Sequence, residues 1–203
     1  MFKSLLTALC LALLAGVGTV RADGPCEGLP SHAALKAALV AARSVGNGGF
    51  NLDMWATVVN RDGIVCAVAF TGANRGDQWP GSRVISAQKA NTANAFSLPG
   101  LALSTANLYS AVQPGGSLYG LQHSNPVDPA VAYGGNAQQF GQPNDPMVHK
   151  RIGGVNVFGG GLGLYTEDGT LVGAIGVSGD TSDNDEICAV AGIEAAGLKA
   201  NAG

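Results

Sequence analysis

The chain has 203 residues, with 11 Lys and Arg against 14 Asp and Glu, a formal net charge of −3 at pH 7. That balance supplies no basic stripe to follow a phosphate backbone, which argues against nucleic acid as a partner. Glycine contributes 31 residues, about twice its ordinary share of roughly 7%, and without a collagen period this density implies tight turns and close backbone approach.

Residues 1–22 read as a cleavable export signal. Lys3 gives a short basic start, Leu5 to Val17 is free of charge, and Val20-Arg21-Ala22 offers a peptidase recognition site. The apolar run, about 13 residues, is shorter than the ~20 a membrane-spanning helix needs. Cys10 lies inside this run and is lost with it. The remaining residues 23–203 are enough for one domain with one core. They keep 9 basic and 14 acidic residues, because Lys3 and Arg21 leave with the signal.

Leu29-Pro30-Ser31 opens a first helix, with Ser31 as its cap and Leu35, Ala38, Leu39, Ala42 and Val45 as an apolar stripe. His32 falls in its first turn, where exposure is expected. Met54 to Val59 and Ile64 to Phe70 form a hairpin across Asn60-Arg61-Asp62-Gly63. A glycine-rich loop then leads to Ser82, read as the cap of an alanine-rich helix that reaches Phe96. A shorter helix is expected from Ser104 to Val112. Residues 113–153, with five prolines among glycines, asparagines and glutamines, read as a long loop, and such loops are usually functional. Gly160 to Tyr165 and Thr170 to Ser178 make a second hairpin. Asp180 to Asp183 leads into a last helix with the stripe Ile187, Val190, Ala191, Glu194 and Leu198. The order gives an α/β (α+β) domain, an antiparallel sheet flanked by helices.

Cys26, Cys66 and Cys188 survive signal cleavage, so an oxidising compartment favours one disulfide with one thiol left over. All three pairings are open; joining Cys26 to Cys188, near the two ends of the domain, is attractive. No Cys-x-x-Cys-His is present, which excludes covalent c-type haem attachment. The familiar catalytic signatures (Gly-x-Ser-x-Gly, His-Glu-x-x-His, a Walker loop) are missing too. Gly159 to Gly163 lacks the helix a dinucleotide fingerprint needs and reads as a strand packed closely on a helix. Asp180, Asp183, Asp185 and Glu186 suit the positive end of the last helix. They lack the spacing of an EF-hand. His123 and His149 lie in the long loop, and Lys150 and Arg151 follow directly, a cluster suited to pairing carboxylates. Tyr119 and Tyr133 are weaker ligand candidates in the same stretch.

Three segments carry a resemblance: Gln88-Lys89-Ala90-Asn91-Thr92-Ala93 with Phe96, Gly159-Gly160-Gly161-Leu162, and Val172 to Asp180 ending in Val177-Ser178-Gly179-Asp180. From about residue 33 to 198 the chain resembles the GlcG/HbpS haem-binding family. The resemblance implies a profilin-like or PAS-like sandwich, a homo-oligomer, and non-covalent binding of haem or a related tetrapyrrole. It places Lys89, Ser178 and Asp180 at family positions beside a common groove. The chain departs from the family at Val59-Asn60-Arg61-Asp62-Gly63, where relatives carry an acidic residue before the turn. It also departs over Tyr119 to Arg151, which is longer than usual.

Together these readings set an expectation: a periplasmic or secreted protein that buffers, senses or delivers haem, with no membrane attachment after signal cleavage. His149 or His123 would meet the iron, and Lys150, Arg151, Lys89, Ser178 and Asp180 would surround the ligand. No catalytic residue is assigned. A haem-degrading enzyme is the alternative, as is an accessory module binding a small organic acid for a periplasmic oxidation system.

Overall fold

A computed structural model describes residues 24–45, 49–195 and 197–200. The expected export signal lies outside the described residues. Helix α1 (His32–Ser44) begins where Ser31 Oγ accepts the Ala34 N–H, and it buries Leu35, Ala38, Leu39 and Ala42. Val45, expected as the fifth member of that stripe, follows the last helical turn and is exposed. Strands β1 (Trp55–Asn60) and β2 (Val65–Phe70) form the first hairpin. Asn60 Oδ1 accepts the Asp62 and Ile64 N–H groups to shape its turn.

Helix α2 spans Ser82–Phe96. Ser82 is not its cap: Gly81 holds that position, and the Ser82 hydroxyl instead bonds Ser178 Oγ at 3.1 Å. The single helix expected at 104–112 is two 3-10 segments, Thr105–Leu108 and Ser110–Val112. Residues 113–153 hold α3 (Leu121–Ser124), α4 (Pro129–Tyr133) and a 3-10 turn at Ala137–Gln139. The second hairpin, β3 (Gly161–Tyr165) and β4 (Leu171–Ser178), leads to α5 (Ser182–Ala195).

The four strands form one antiparallel sheet in the order β2-β1-β4-β3. Period-two alternation sends side chains to two cores. Met54, Ala56, Val58, Ile175 and Val177 meet α1 and α5 on one face. Trp55, Val59, Val68 and Ala174 meet α2 and the long segment on the other. The molecule is therefore a three-layer α+β sandwich, as expected. Glycine sets how close the layers come. A Cβ on Gly176 would lie 2.0 Å from Ser86 O, so β4 touches the α2 backbone directly. Gly161, in the run read as a close-packed strand, abuts α2 in the same way, with Lys89 O 2.7 Å from a would-be Cβ.

Two further expectations need correcting. The disulfide joins Cys26 to Cys66, not Cys26 to Cys188. Cys66 sits on the outer strand β2, where the N-terminal segment passes and Pro25 O accepts Asn60 Nδ2, whereas Cys188 is buried under α1 and the sheet. The stripe assigned to the last helix is also rotated. Ile187 is 50% exposed, and the buried face is Asp185, Cys188, Ala189 and Ile193. Helical spacing alone let Ile187 anchor the pattern, while the true face includes a charge that the interior neutralises.

Candidate functional site

Lys89, Ser178 and Asp180 do come together, but inside the protein. Lys89 projects from the middle of α2, is 1% exposed, and donates to Val177 O at 2.9 Å and to Asp185 Oδ2 at 2.8 Å. Asp185 Oδ1 accepts the Asp180 N–H at 3.1 Å. The network thus ties α2, the end of β4 and the first turn of α5. The Asp180 carboxylate takes N–H groups from Phe50, Leu52 and Thr181, fixing the segment before β1. Its pKa is pushed up by burial, yet those backbone donors win and hold it below the usual carboxylate range.

The Lys89–Asp185 pair carries the opposite signature. Burial disfavours the ammonium and lowers the Lys89 pKa, with Asp185 resisting that shift. Burial likewise lifts Asp185 to about 6 against the pull of Lys89. Asp185 was expected only to offset the dipole of α5; instead it is the counter-ion of a buried lysine. A lysine in the middle of an alanine-rich helix was the available signal, since such a group survives burial only with a carboxylate partner.

His123, His149, Lys150 and Arg151 are all exposed. His123 lies in α3. His149, Lys150 and Arg151 run beside β2 and cover its open edge: His149 N–H donates to Val65 O, Val65 N–H donates to Lys150 O, and Arg151 bridges Ile64. Arg151 Nε also donates to Asp62 O at 2.8 Å. His149 adopts φ 65°, a left-handed conformation few side chains accept. Tyr119 and Tyr133 are exposed as well. His32 is the exception among the histidines. It is half-buried, not exposed as expected, and its Nε2 pairs with Gly141 O at 2.8 Å.

Two of the clefts on the described surface bear on the site. The larger, about 560 Å³, lies between α5 and residues 102–107, with Leu162, Val190 and Leu198 on its walls and Glu186, Glu194 and Lys199 as its charged groups. The smaller, about 370 Å³, is lined by Ala106, Tyr109, Val157, Phe158, Gly159 and Ser182. Neither includes any of the seven residues singled out from sequence. Tyr109 and Phe158 carry no motif, so sequence gave no reason to select them. Among the described residues, no cluster of three or more His, Cys, Asp or Glu side chains is placed to hold a metal ion. None of the described helices is long and apolar enough to cross a membrane.

Comparison with known proteins adds the remaining observation. The fold is similar to that in the crystal structure of a PduOC:heme complex, at TM-score 0.58 and 23% identity, covering 83% of this chain and 94% of that one. It is also similar to the Klebsiella pneumoniae protein ORFY, at TM-score 0.54 and 25% identity over 82% and 90% of the two chains. The HbpS crystal structure aligns at TM-score 0.50 and 20% identity, over 80% and 84%. No curated protein is detectably similar in sequence. The model of the haem degrading protein HbpS-like family matches residues 29–194, from before α1 to the last turn of α5, and the chain belongs to that family.

Proposed function

We propose that this chain is an exported, non-covalent haem-binding protein, assembled as a homo-oligomer, that buffers, senses or delivers haem. The single observation that carries this reading is the family match over residues 29–194. Similarity in fold to a protein crystallised with haem supports it. The half-exposed disulfide between Cys26 and Cys66 is in keeping with the proposed signal at residues 1–22 and a periplasmic or secreted location.

The donor groups suit a haem held at the surface. Imidazole is the most common protein ligand to haem iron. Among the described residues neither the His123 nor the His149 ring has a hydrogen-bond partner, in contrast to His32 on Gly141 O. Lys150 and Arg151 stand beside His149, where cationic groups would meet propionates. The larger cleft suits the ligand poorly, because Glu186 and Glu194 would oppose a dianionic tetrapyrrole. Bound haem would bring an iron with open axial positions; the protein would contribute imidazole ligation and charge pairing. A ligand on exposed loops exchanges more readily than one sealed in a core, which favours buffering and delivery.

Titration of purified protein with haem tests this. A saturable Soret band is expected, shifted in His149→Ala or His123→Ala. No binding would overturn the function, and an unchanged spectrum in both variants would overturn the ligand assignment. The family's description also supports a second reading, haem degradation. Under reductant and oxygen, progressive loss of the Soret band would favour it, and a stable spectrum would remove it.

A further inference from the structure

Tyr109 and Phe158 are each about half exposed, at 48% and 49%, yet the backbone of both is hydrogen-bonded into the fold. Phe158 N–H donates to Asn156 Oδ1, and Phe158 O accepts the Thr105 hydroxyl at 2.6 Å. The same hydroxyl accepts Gly161 N–H at the start of β3. Next to it, Gly159 passes so close to α5 that a Cβ there would lie 2.8 Å from Ser182 O. Tyr109 joins the two 3-10 segments, donating its N–H to Ala106 O and accepting Val112 N–H and Gln113 Nε2. Beneath both runs a separate small core of Leu108, Val112, Val155 and Val157, into which Leu121 of α3 also packs. Two aromatic rings are therefore held in the open by hydrogen-bonded backbone.

Their arrangement is specific. The ring centroids are 6.3 Å apart and the planes diverge by 30°, near the wide end of the range for paired rings, about 4.5–7 Å. The two rings form a wedge in a cleft that Ala106 and Gly159 also line, and no lining residue carries a charge. At about 370 Å³ the cleft lies within the size range of small-molecule sites, roughly 300–1,000 Å³.

We infer that the Tyr109–Phe158 wedge is a binding site for the uncharged face of a flat, extended aromatic ring system, and that the tetrapyrrole macrocycle is its ligand. This rests on the haem reading and deepens it: the wedge lies just ahead of β3, at the edge of the sheet opposite the one His149 covers, so a macrocycle gripped here would take its iron ligand from His123, on the α3 that packs into the same small core. Stacking on a π-face needs no metal, so the wedge should bind the iron-free ring too.

The test uses iron-free protoporphyrin IX, followed by its fluorescence anisotropy, alongside haem followed by its Soret band. Phe158→Ala and Tyr109→Ala should each weaken protoporphyrin binding by about tenfold, the scale of one lost ring contact. Trp79→Ala removes another exposed aromatic outside the wedge and should change nothing. Both wedge residues are half exposed, so circular dichroism and melting should remain those of the wild type. If wild-type protein binds haem while the two wedge variants bind protoporphyrin as tightly as wild type does, the inference is overturned and the haem reading stands. If the wild type gives no Soret change, the haem reading itself fails. If sedimentation shows the double variant dissociating into monomers with porphyrin affinity unchanged, the wedge holds a second copy, and the inference is again overturned.

Discussion

Arg83 and Asp145, 62 residues apart in sequence, form a buried two-pronged ion pair, Arg83 Nε donating to Asp145 Oδ2 at 2.8 Å and Nη2 to Oδ1. Arg83 Nη1 also donates to Ala132 O, and the guanidinium lies 3.7 Å from the Phe140 ring centroid. Asp145 in turn accepts the N–H groups of Gly141 and Met147. One arginine on α2 thus holds the segment from α4 to Met147 against the sheet. Arg83→Met leaves the Asp145 charge buried, and breaking such a pair costs about 3–5 kcal/mol. Urea unfolding should show that loss, and amide exchange should accelerate first over residues 132–147.

The Lys89–Asp185 pair predicts a pH dependence with a definite sign. Burial lifts Asp185 from an ordinary 3.8 to about 6, against the pull of Lys89. A carboxyl with a raised folded pKa binds its proton more tightly in the native state, so its stabilising contribution is complete below about 3.8 and is lost as pH rises through about 6. Wild type should therefore lose stability relative to Asp185→Asn between pH 4 and 7, readable from urea midpoints across that range. At pH 7, Lys89→Met alone should cost about 3–5 kcal/mol, whereas Lys89→Met with Asp185→Leu should recover most of it. A double variant as unstable as the single would show that the pair itself supports the fold.

How much was legible before the structure follows from which physics is local. Ser31 with Leu35, Ala38, Leu39 and Ala42 announced α1, because cap and period are read within a few residues. Both hairpins were equally plain, each having turn residues between apolar runs. Ser82 misled because a capping residue type sat one position inside a helix whose cap is glycine. The partners of Lys89 and Arg83 lie 96 and 62 residues away, and no local period encodes such separations. The candidate site suffered most. His149 to Arg151 was visible as a cluster of types, but nothing in the sequence shows that it runs along β2, and an aromatic wedge made by residues 109 and 158 has no signature at all.

The disulfide gives a third test. Cys26 and Cys66 enclose a separation of 40 residues, and closing a loop of that length stabilises by about 4 kcal/mol on the chain-entropy estimate. Non-reducing peptide mapping should recover a crosslinked peptide containing Cys26 and Cys66. Cys188→Ala should leave that crosslink intact, and reduction should lower the melting temperature of both proteins. A Cys26–Cys188 peptide would contradict the fold at β2.

His149 offers the sharpest separation of stability from function. Its φ of 65° lies in the left-handed region, which costs a side-chain-bearing residue about 1 kcal/mol or more and costs glycine little. The backbone there is not free to relax, because His149 N–H and Lys150 O are both engaged by Val65 on β2. His149→Gly should therefore stabilise the protein, by up to about 1 kcal/mol once the extra unfolded-state freedom of glycine is counted. If the imidazole meets haem iron, the same variant should lose haem affinity while its melting temperature rises. His149→Ala keeps the strain and should lose affinity without that gain. A glycine variant that is more stable and binds haem with an unaltered Soret band would mean that the strained histidine serves no ligand, and would leave His123 as the iron ligand to test.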